Sequence, residues 1–305
     1  MPPVAPSVPT ARLADALPRP IAGGGRLIAA LRPLVPPPPR RREPLSLGRL
    51  GSLEALLATS PGDVHRAQAL RFAVFYEEMA ATANPIARWL RRDMDRFDRF
   101  ADHVVVVDHD TPEPQPFGRS RPKVVGTYRL LTPERARAAG GFYSAGEFDI
   151  ARLVARRPGA RFLELGRSCV LPAWRHKRTI ELLWTAVWAY ARRESADVLF
   201  GCASFPGADA ARHRDALALL HQTALAPEPW RVGPLPHRRA TVPMPTDPVD
   251  PRRVVAGLPP LIKAYLRLGA YVGDGAVADA AFGTTDVLMI LPVERIGERY
   301  LKYFG

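Results

Sequence analysis

Hydrophobic and polar positions follow two rhythms along this chain. From Val64 to Phe75 the apolar residues Val64, Ala67, Leu70, Val74 and Phe75 fall near helical spacing. Ser60-Pro61-Gly62-Asp63 stands just before them and predicts the helix start, with a hydroxyl to cap it and a proline in its first turn. The stretch 50–59 ahead of it predicts a strand. Asp93 to Arg99 is polar and predicts a helix end or loop. His103 to Asp108 and Lys123 to Leu131 are β-rich, and the Pro/Gly-rich stretch 111–122 joins them. Together they predict an antiparallel hairpin with a long loop. Phe162 to Val170 predicts another strand, stopped by Pro172. A helix then starts at Thr179 or Ile180, with Ile180, Trp184, Val187, Trp188 and Ala191 as its apolar face. Asp197 to Phe205 predicts a strand closed by Pro206-Gly207. After it come a helix near 208–222, a proline-rich connection over 226–251, a short helix over 260–268 and a strand from Asp286 to Leu291. The order is that of a mixed α/β sheet in one domain.

Composition adds a boundary. Of the 33 prolines, twelve fall in the first 45 residues, together with seven Arg against Asp15 and Glu43. Residues 1–45 therefore read as a disordered Pro/Arg-rich tail and 46–305 as the folded domain. Met1-Pro2-Pro3 lacks the basic start of a secretory signal. Within the tail, Arg26 to Arg32 is a short basic amphipathic stretch suited to a membrane surface, or simply solvated. No apolar run is long enough to predict a transmembrane helix. Cys169 and Cys202 are the two cysteines, too few for a disulfide scaffold or an all-thiolate zinc site. No metal site is expected, since neither His213 nor His221 has a partner at a telling spacing. The net charge of +13 draws acidic partners: a carrier protein, an anionic membrane or nucleic acid. No nucleic-acid motif stands in the body, so nucleic acid is not the expected partner.

The candidate chemistry concentrates between Glu164 and Thr179. A strand runs into the basic loop Trp174-Arg175-His176-Lys177-Arg178, and the loop opens a helix. Free N–H groups at that helix start, beside three cations, suit a phosphate; the alternative is a solvated basic loop. Gly166 inside the strand suggests a bulge. Glu164 and Arg167 are three apart, so a regular strand puts them on opposite faces, whereas a bulge turns both toward one site. The alternative is a Glu–Arg pair at the edge of the fold. Cys169, in an apolar strand, reads as buried and inert. The spacing His103-x4-Asp108 resembles an acyltransferase dyad, but an offset of five on a strand separates the two side chains.

Strand, bulge, basic loop and helix resemble the acyl-CoA loop of the GCN5-related N-acetyltransferase fold, a mixed sheet flanked by helices. The general pattern there, Arg/Gln-x-x-Gly-x-Gly/Ala, meets Arg178 and Ile180 at its two glycine positions. The closer resemblance is to the L-ornithine N-alpha-acyltransferases of ornithine-lipid synthesis, over roughly residues 50–305. It is carried by Leu70 to Met79, Asp95-Arg96-Phe97-Asp98, Glu164 to Trp184, Gly201 to Gly207 and Phe282 to Val287. The runner-up is the acyl-homoserine-lactone synthases. Arg71 with Phe75, Asp95 with Asp98, Arg129, and Glu164 with Arg167 look like their spaced signature.

The resemblance implies transfer of a 3-hydroxyacyl group to the α-amine of L-ornithine, giving lyso-ornithine lipid. It implies acyl carrier protein as partner, with the donor held on its phosphopantetheine and no cofactor bound to the enzyme. It also implies a cytoplasmic protein touching the inner membrane face. Glu164, then Asp98, are the expected bases, and a backbone N–H at Cys169 or Val170 the oxyanion donor. Arg175, Lys177, Arg178 and Thr179 are expected at the donor phosphate. Arg at 178 closes the glycine cradle of a pyrophosphate but offers a cation to a single phosphate, which favours the carrier protein over coenzyme A. Arg88, Arg91 and Arg92 are expected to dock the acidic carrier, or else to be a solvated helix face. The expected substrate-binding residues are Arg71, Phe75, Asp95, Arg129, Glu147, Asp149 and Arg167.

Overall fold

Val104 to Val107 form a central strand because both of its faces are covered. Val104 and Val106 join one apolar cluster, Val105 and Val107 another, so an unbroken apolar run satisfies a period of two. The computed structural model describes residues 45–242 and 250–300. Among them run the strands β1 (Leu45–Leu50), β2 (Leu53–Leu57), β3 (Asp102–Pro114), β4 (Ser120–Leu131), β5 (Phe162–Val170), β6 (Val198–Pro206), β7 (Tyr271–Asp279) and β8 (Thr284–Pro292). They make one sheet in the order β1-β2-β3-β4-β5-β6-β8-β7. Every neighbouring pair is antiparallel except β5 and β6.

The helices are α1 (Pro61–Phe72), α2 (Pro85–Leu90), α3 (Pro133–Ala138), α4 (Ile150–Ala155), α5 (Lys177–Arg193), α6 (Arg214–Ala224), α7 (Pro251–Gly257) and α8 (Pro260–Arg267). Ser60 caps α1 by accepting from Asp63 N, as the sequence predicts. Helix α5 buries Leu182, Leu183, Val187 and Tyr190 against Leu163 and Leu165 on one face of the sheet. Helix α1 covers the opposite face, where Ala67 and Leu70 meet Val105, Val107 and Cys169. A third cluster, with Phe148, Phe162, Phe200 and Ile290, lies beyond it under α4.

Several elements differ from the sequence expectation. The stretch 50–59 is the turn and second strand of a hairpin, not one strand. Strands β3 and β4 run on into 111–122 and leave only a tight turn around Gln115 to Arg119. Ile180 is 41% exposed; the buried face of α5 begins at Thr179 and continues through Leu182 and Leu183. The tail expected over residues 1–45 lies outside the described residues, apart from Leu45.

The sheet forks between β5 and β6. The two strands pair only at Phe162–Val198, Leu163–Leu199 and Glu164–Phe200, then part. Strand β6 keeps its other edge on β8 through Pro206, and β5 keeps its own on β4 through Val170. Gly201 sits where they part. A Cβ there would meet the Leu165 carbonyl oxygen at 2.1 Å, so only glycine lets the backbones approach this closely.

Candidate functional site

The fork opens into a cleft of about 310 Å³. Gly166 to Val170 of β5 form one wall, Cys202 to Ser204 of β6 the other. Helix α1 widens into a π-helical turn at Ala73–Glu78, which turns Val74 and Phe75 into the mouth. Phe75 meets Phe282 edge to face, with ring centroids 5.9 Å apart.

The bulge expected in β5 is present, one position later than the glycine. Thr127 pairs with Cys169 and Arg129 with Gly166, so two residues of β5 oppose one of β4. Arg167 takes the left-handed conformation, φ +52°. The bulge brings Arg167 to the cleft that Glu164 also lines. Beyond it, Leu171 N–H donates to Val125 at 2.9 Å, and Val170 pairs with Gly126. Pairs in an antiparallel ladder alternate between bonded and unbonded. The Val170 backbone N–H and C=O therefore face away from β4, into the fork, where the carbonyl accepts Arg175 Nε at 2.9 Å. The same alternation turns the Cys169 N–H toward β4. Of the two expected oxyanion donors, the ladder leaves Val170 available and commits Cys169.

Five of the expected site residues, joined by Asp93, close into a ring. Arg71 Nε lies 2.8 Å from Asp93, and Asp93 lies 3.1 Å from Arg167 Nε. Arg167 Nη2 reaches Asp95 at 3.2 Å, Asp95 meets Arg129 Nη1 at 2.7 Å, and Arg129 reaches Asp98 at 3.1 Å. Asp98 returns to Arg71 at 2.8 Å. Three guanidinium groups and three carboxylates alternate, and their charges cancel. Burial pushes the Asp98 carboxyl up, but Arg71 and then Arg129 pull it well below the usual carboxylate range. Asp98 does not line the cleft, and its oxygens accept from Arg71, Arg129, Gln68 and Asp95 N. That is the arrangement of a structural anion, and it removes Asp98 as a base. Arg71, Asp95 and Arg129 are likewise held by the ring and lie outside the cleft lining. Arg167 alone belongs to both, packed over the rings of Tyr143 and Phe282.

Glu164 is buried in the cleft wall. Oε2 accepts Tyr143 N at 2.7 Å; Oε1 accepts Ser144 N at 2.6 Å and Ser144 Oγ at 2.5 Å. Burial raises its pKa against the pull of those donors. A second acidic site lies across β6. Glu147, Asp279 and Asp286 bring carboxylate oxygens within 4.8 Å of one another. Burial, then Asp286 and Asp279, push Glu147 up to about 7. Cys202 Sγ lies 3.4 Å from both Glu147 Oε2 and Ser144 Oγ, either of which can accept its one proton, and so links this trio to Glu164. Sequence reasoning picked out Glu147 but missed Asp279 and Asp286. Asp286 stands inside the Phe282 to Val287 segment that carries the resemblance, which was the available signal. Asp149, expected beside Glu147, is instead the cap of α4 and accepts Arg152 N at 3.1 Å.

The loop cations divide. Arg175 lines the cleft and is paired with Glu78 through both Nη atoms, at 2.5 and 2.6 Å. Lys177 and Arg178 face a different depression of about 430 Å³, with Trp174, Asp108 and Leu53. Thr179 is fully buried, its hydroxyl 3.3 Å from His176 Nδ1, so it does not reach a surface phosphate. Cys169 is buried, and burial pushes its thiol up to about 12, as befits an inert core residue. His103 turns to the Asp98 carbonyl while Asp108 accepts Trp174 Nε1 at 2.9 Å, so the two form no dyad.

The acetyltransferase (GNAT) domain model matches residues 70–185, the span from α1 to α5. The chain is 52% identical over 260 residues to the L-ornithine N(alpha)-acyltransferase of Brucella abortus (strain 2308), covering 85% of this chain and 91% of that protein. It is 49% identical to the enzyme of the same name from Rhizobium meliloti (strain 1021), covering 85% and 86%. Among solved structures it is similar to FeeM, an N-acyl amino acid synthase from uncultured soil microbes, with a TM-score of 0.45 and 12% identity. That match covers 79% of this chain and 92% of FeeM.

Proposed function

We propose, from the premise that this chain belongs to the L-ornithine N(alpha)-acyltransferase family, that it acylates the α-amine of L-ornithine with a 3-hydroxyacyl group from acyl carrier protein. The product is lyso-ornithine lipid. The observation that carries this reading is the fork: a strand-shaped gap with one free backbone N–H and a buried carboxylate in its walls.

The pantetheine arm lies in the gap, its amides meeting strand edges that β5 and β6 do not use on each other. The thioester carbonyl oxygen faces the Val170 N–H, which holds the oxyanion as it forms. Glu164 takes a proton from the ornithine α-ammonium, directly or through water. The freed amine attacks the carbonyl carbon, the N–C bond forms and the C–S bond breaks. The nitrogen loses its second proton as the thiolate leaves and is protonated. Arg167 and Arg175 are the cations beside the cleft that can meet the ornithine carboxylate and the donor phosphate. Phe75 packs against the incoming chain.

Carrier docking falls to the surface beside the mouth. Met79 lines the cleft, and Ile86 and Trp89 of α2 are 65% and 82% exposed among Arg88, Arg91 and Arg92. An acidic carrier protein with an apolar rim suits that mixture. An amphiphilic product brings the same surface to the membrane face; no helix among the described residues is long and apolar enough to cross a membrane.

The test is incubation with 3-hydroxyacyl carrier protein and ornithine, lysine, glutamine or S-adenosylmethionine, with products identified by mass. N-acyl-ornithine carrying the hydroxyacyl mass is expected. An acyl-homoserine lactone from S-adenosylmethionine overturns the acceptor in favour of the lactone synthases. Equal turnover with acyl-CoA overturns the carrier as donor.

A further inference from the structure

We infer that Glu147, Asp279 and Asp286 form the pocket for the acceptor's side-chain ammonium, so that the enzyme selects a diamino acid by the reach between its two amines. This rests on the reading of ornithine as acceptor and adds to it a site on β7, β8 and the turn before α4.

Charge is the first ground. The trio sets three carboxylates against two guanidinium groups: Arg238, whose Nη2 lies 3.7 Å from Glu147 Oε1, and Arg167, which acts on Asp286 but is already engaged by Asp93 and Asp95. Glu147, Asp279 and Asp286 are only 6–8% exposed. Buried charge without a partner is costly, so such a cluster calls for a cation. Polar atoms left over are the second ground. Thr284 is 4% exposed and lines the cleft, yet neither Thr284 Oγ1 nor Asp286 Oδ1 has a well-aligned hydrogen-bond partner; the nearby Ser204 and Thr284 hydroxyls only partly offset the burial that pushes the Asp286 carboxyl up. Their hydroxyl and carboxylate are enclosed and aimed at the space an ammonium would fill. Asp279 spends Oδ1 on Ala281 N and Phe282 N, at 2.8 and 3.1 Å, which fixes the carboxylate and presents its other oxygen. An ammonium offers three donors, matching carboxylates and a hydroxyl.

Distance is the third ground. The attacking α-amine must sit in the fork, beside β6. Asp286 stands on β8 opposite Ser204 of β6, one strand over, about 4.8 Å away. Five bonds of about 1.5 Å separate the two nitrogens of ornithine and span roughly 6 Å in zigzag. One methylene fewer leaves the ammonium short of the trio; one more crowds it. The empty pocket holds a proton near neutrality, since burial and the two aspartates push Glu147 to about 7. An arriving ammonium displaces it.

The test compares acceptors on the full-length protein with one donor thioester: ornithine, norvaline (the same length without the amine), 2,4-diaminobutyrate and lysine. Expected is at least a 100-fold preference in kcat/KM for ornithine over norvaline. Asp279→Asn keeps the Oδ1 turn contacts; it should raise the ornithine KM more than 10-fold and shrink the preference for ornithine over norvaline by a similar factor. Thr284→Val, uncharged and nearly isosteric, should raise the ornithine KM several-fold and serves if Asp279→Asn fails to fold by circular dichroism. Calorimetry should show ornithine binding weakened below pH 7, where Glu147 gains a proton between Cys202, Asp279, Asp286 and Arg238. Norvaline acylated as well as ornithine, or discrimination unchanged in both variants, overturns the pocket while leaving ornithine acylation intact. Micromolar binding of Mn²⁺ that Asp279→Asn abolishes and ornithine does not displace assigns the trio to a metal and overturns it too. Acylation of no amino acid overturns the ornithine reading itself.

Discussion

Two clusters of buried charge flank the cleft, and they are built on opposite plans. The ring of Arg71, Asp93, Arg167, Asp95, Arg129 and Asp98 pairs every charge with two neighbours, and Arg71 is wholly buried within it. The trio of Glu147, Asp279 and Asp286 is as deeply buried as Asp98, but its three carboxylates have only Arg238 to themselves and a share of Arg167, which the ring already holds. Burial alone therefore does not separate structural charge from functional charge; balance does. Apart from the face of Arg167 that lines the cleft, a closed ring has nothing left to offer a substrate, and it ties the loop around Asp93–Asp98 to α1, β4 and β5. An unbalanced cluster keeps a charge that a cation could meet, which is the ground of the pocket proposed above.

The sharpest way to break this contrast is to open the ring. Arg71→Ala leaves Asp93 and Asp98 buried without their shared partner, and urea unfolding should show a loss of about 3–5 kcal/mol. Next is pH, where the clusters carry opposite signs. Asp98 is held below its ordinary value, so its contribution is present above the unfolded carboxylate pKa and is lost as pH falls through the folded one. Glu147 is raised from 4.5 to about 7, so its contribution is present below 4.5 and is lost as pH rises through about 7. The stability difference between wild type and Glu147→Gln should change by about 3 kcal/mol between pH 4 and pH 8. Glu164→Gln, between the two clusters, should lower kcat about 10²-fold or more with the far-ultraviolet spectrum unchanged. Asp286→Asn removes one of three crowded charges and should stabilise the protein by about 1 kcal/mol at pH 8 while raising the ornithine KM. An equal charge removal in the ring, Asp98→Asn, should destabilise it. Smallest of all, Trp89→Ala, outside both clusters, should move stability by no more than about 0.5 kcal/mol. Its effect belongs in the KM for the carrier thioester.

Much of the framework was legible in the sequence. Ser60 announced α1, the valine run announced β3, and the limits of β5 matched residue for residue. What escaped shows where local pattern stops being informative. Strand β7 went unread because Gly273 and Gly275 break its rhythm. They are glycine for different reasons: a Cβ on Gly273 would meet the Val232 carbonyl at 2.9 Å, while Gly275 takes a positive φ of +109° that other residues rarely adopt. Helix α7 buries no side chain, so it has no apolar period to detect. The bulge was foreseen at Gly166, but Arg167 adopts the strained conformation, held there by Asp93, Asp95 and two aromatic rings. Every ring residue except Asp93 stood among the candidates, yet spacing could not show that they satisfy one another. The trio draws on segments more than 130 residues apart, and only the placement of β8 beside β6 brings them together.

The three-rung junction between β5 and β6 leaves two leaves of one sheet, β1–β5 under α1 and α5, and β6–β8 with α6 and α8 against them. A pantetheine arm in the gap would stitch these leaves along the length they leave unjoined. The donor is then a temporary ninth strand as much as a reactant, and letting go of the spent carrier means unpicking a seam. The seam starts at its closed end, where Gly201 presses on the backbone of Leu165. A residue that touches no reacting atom thus sets how closely the two leaves approach where the gap begins.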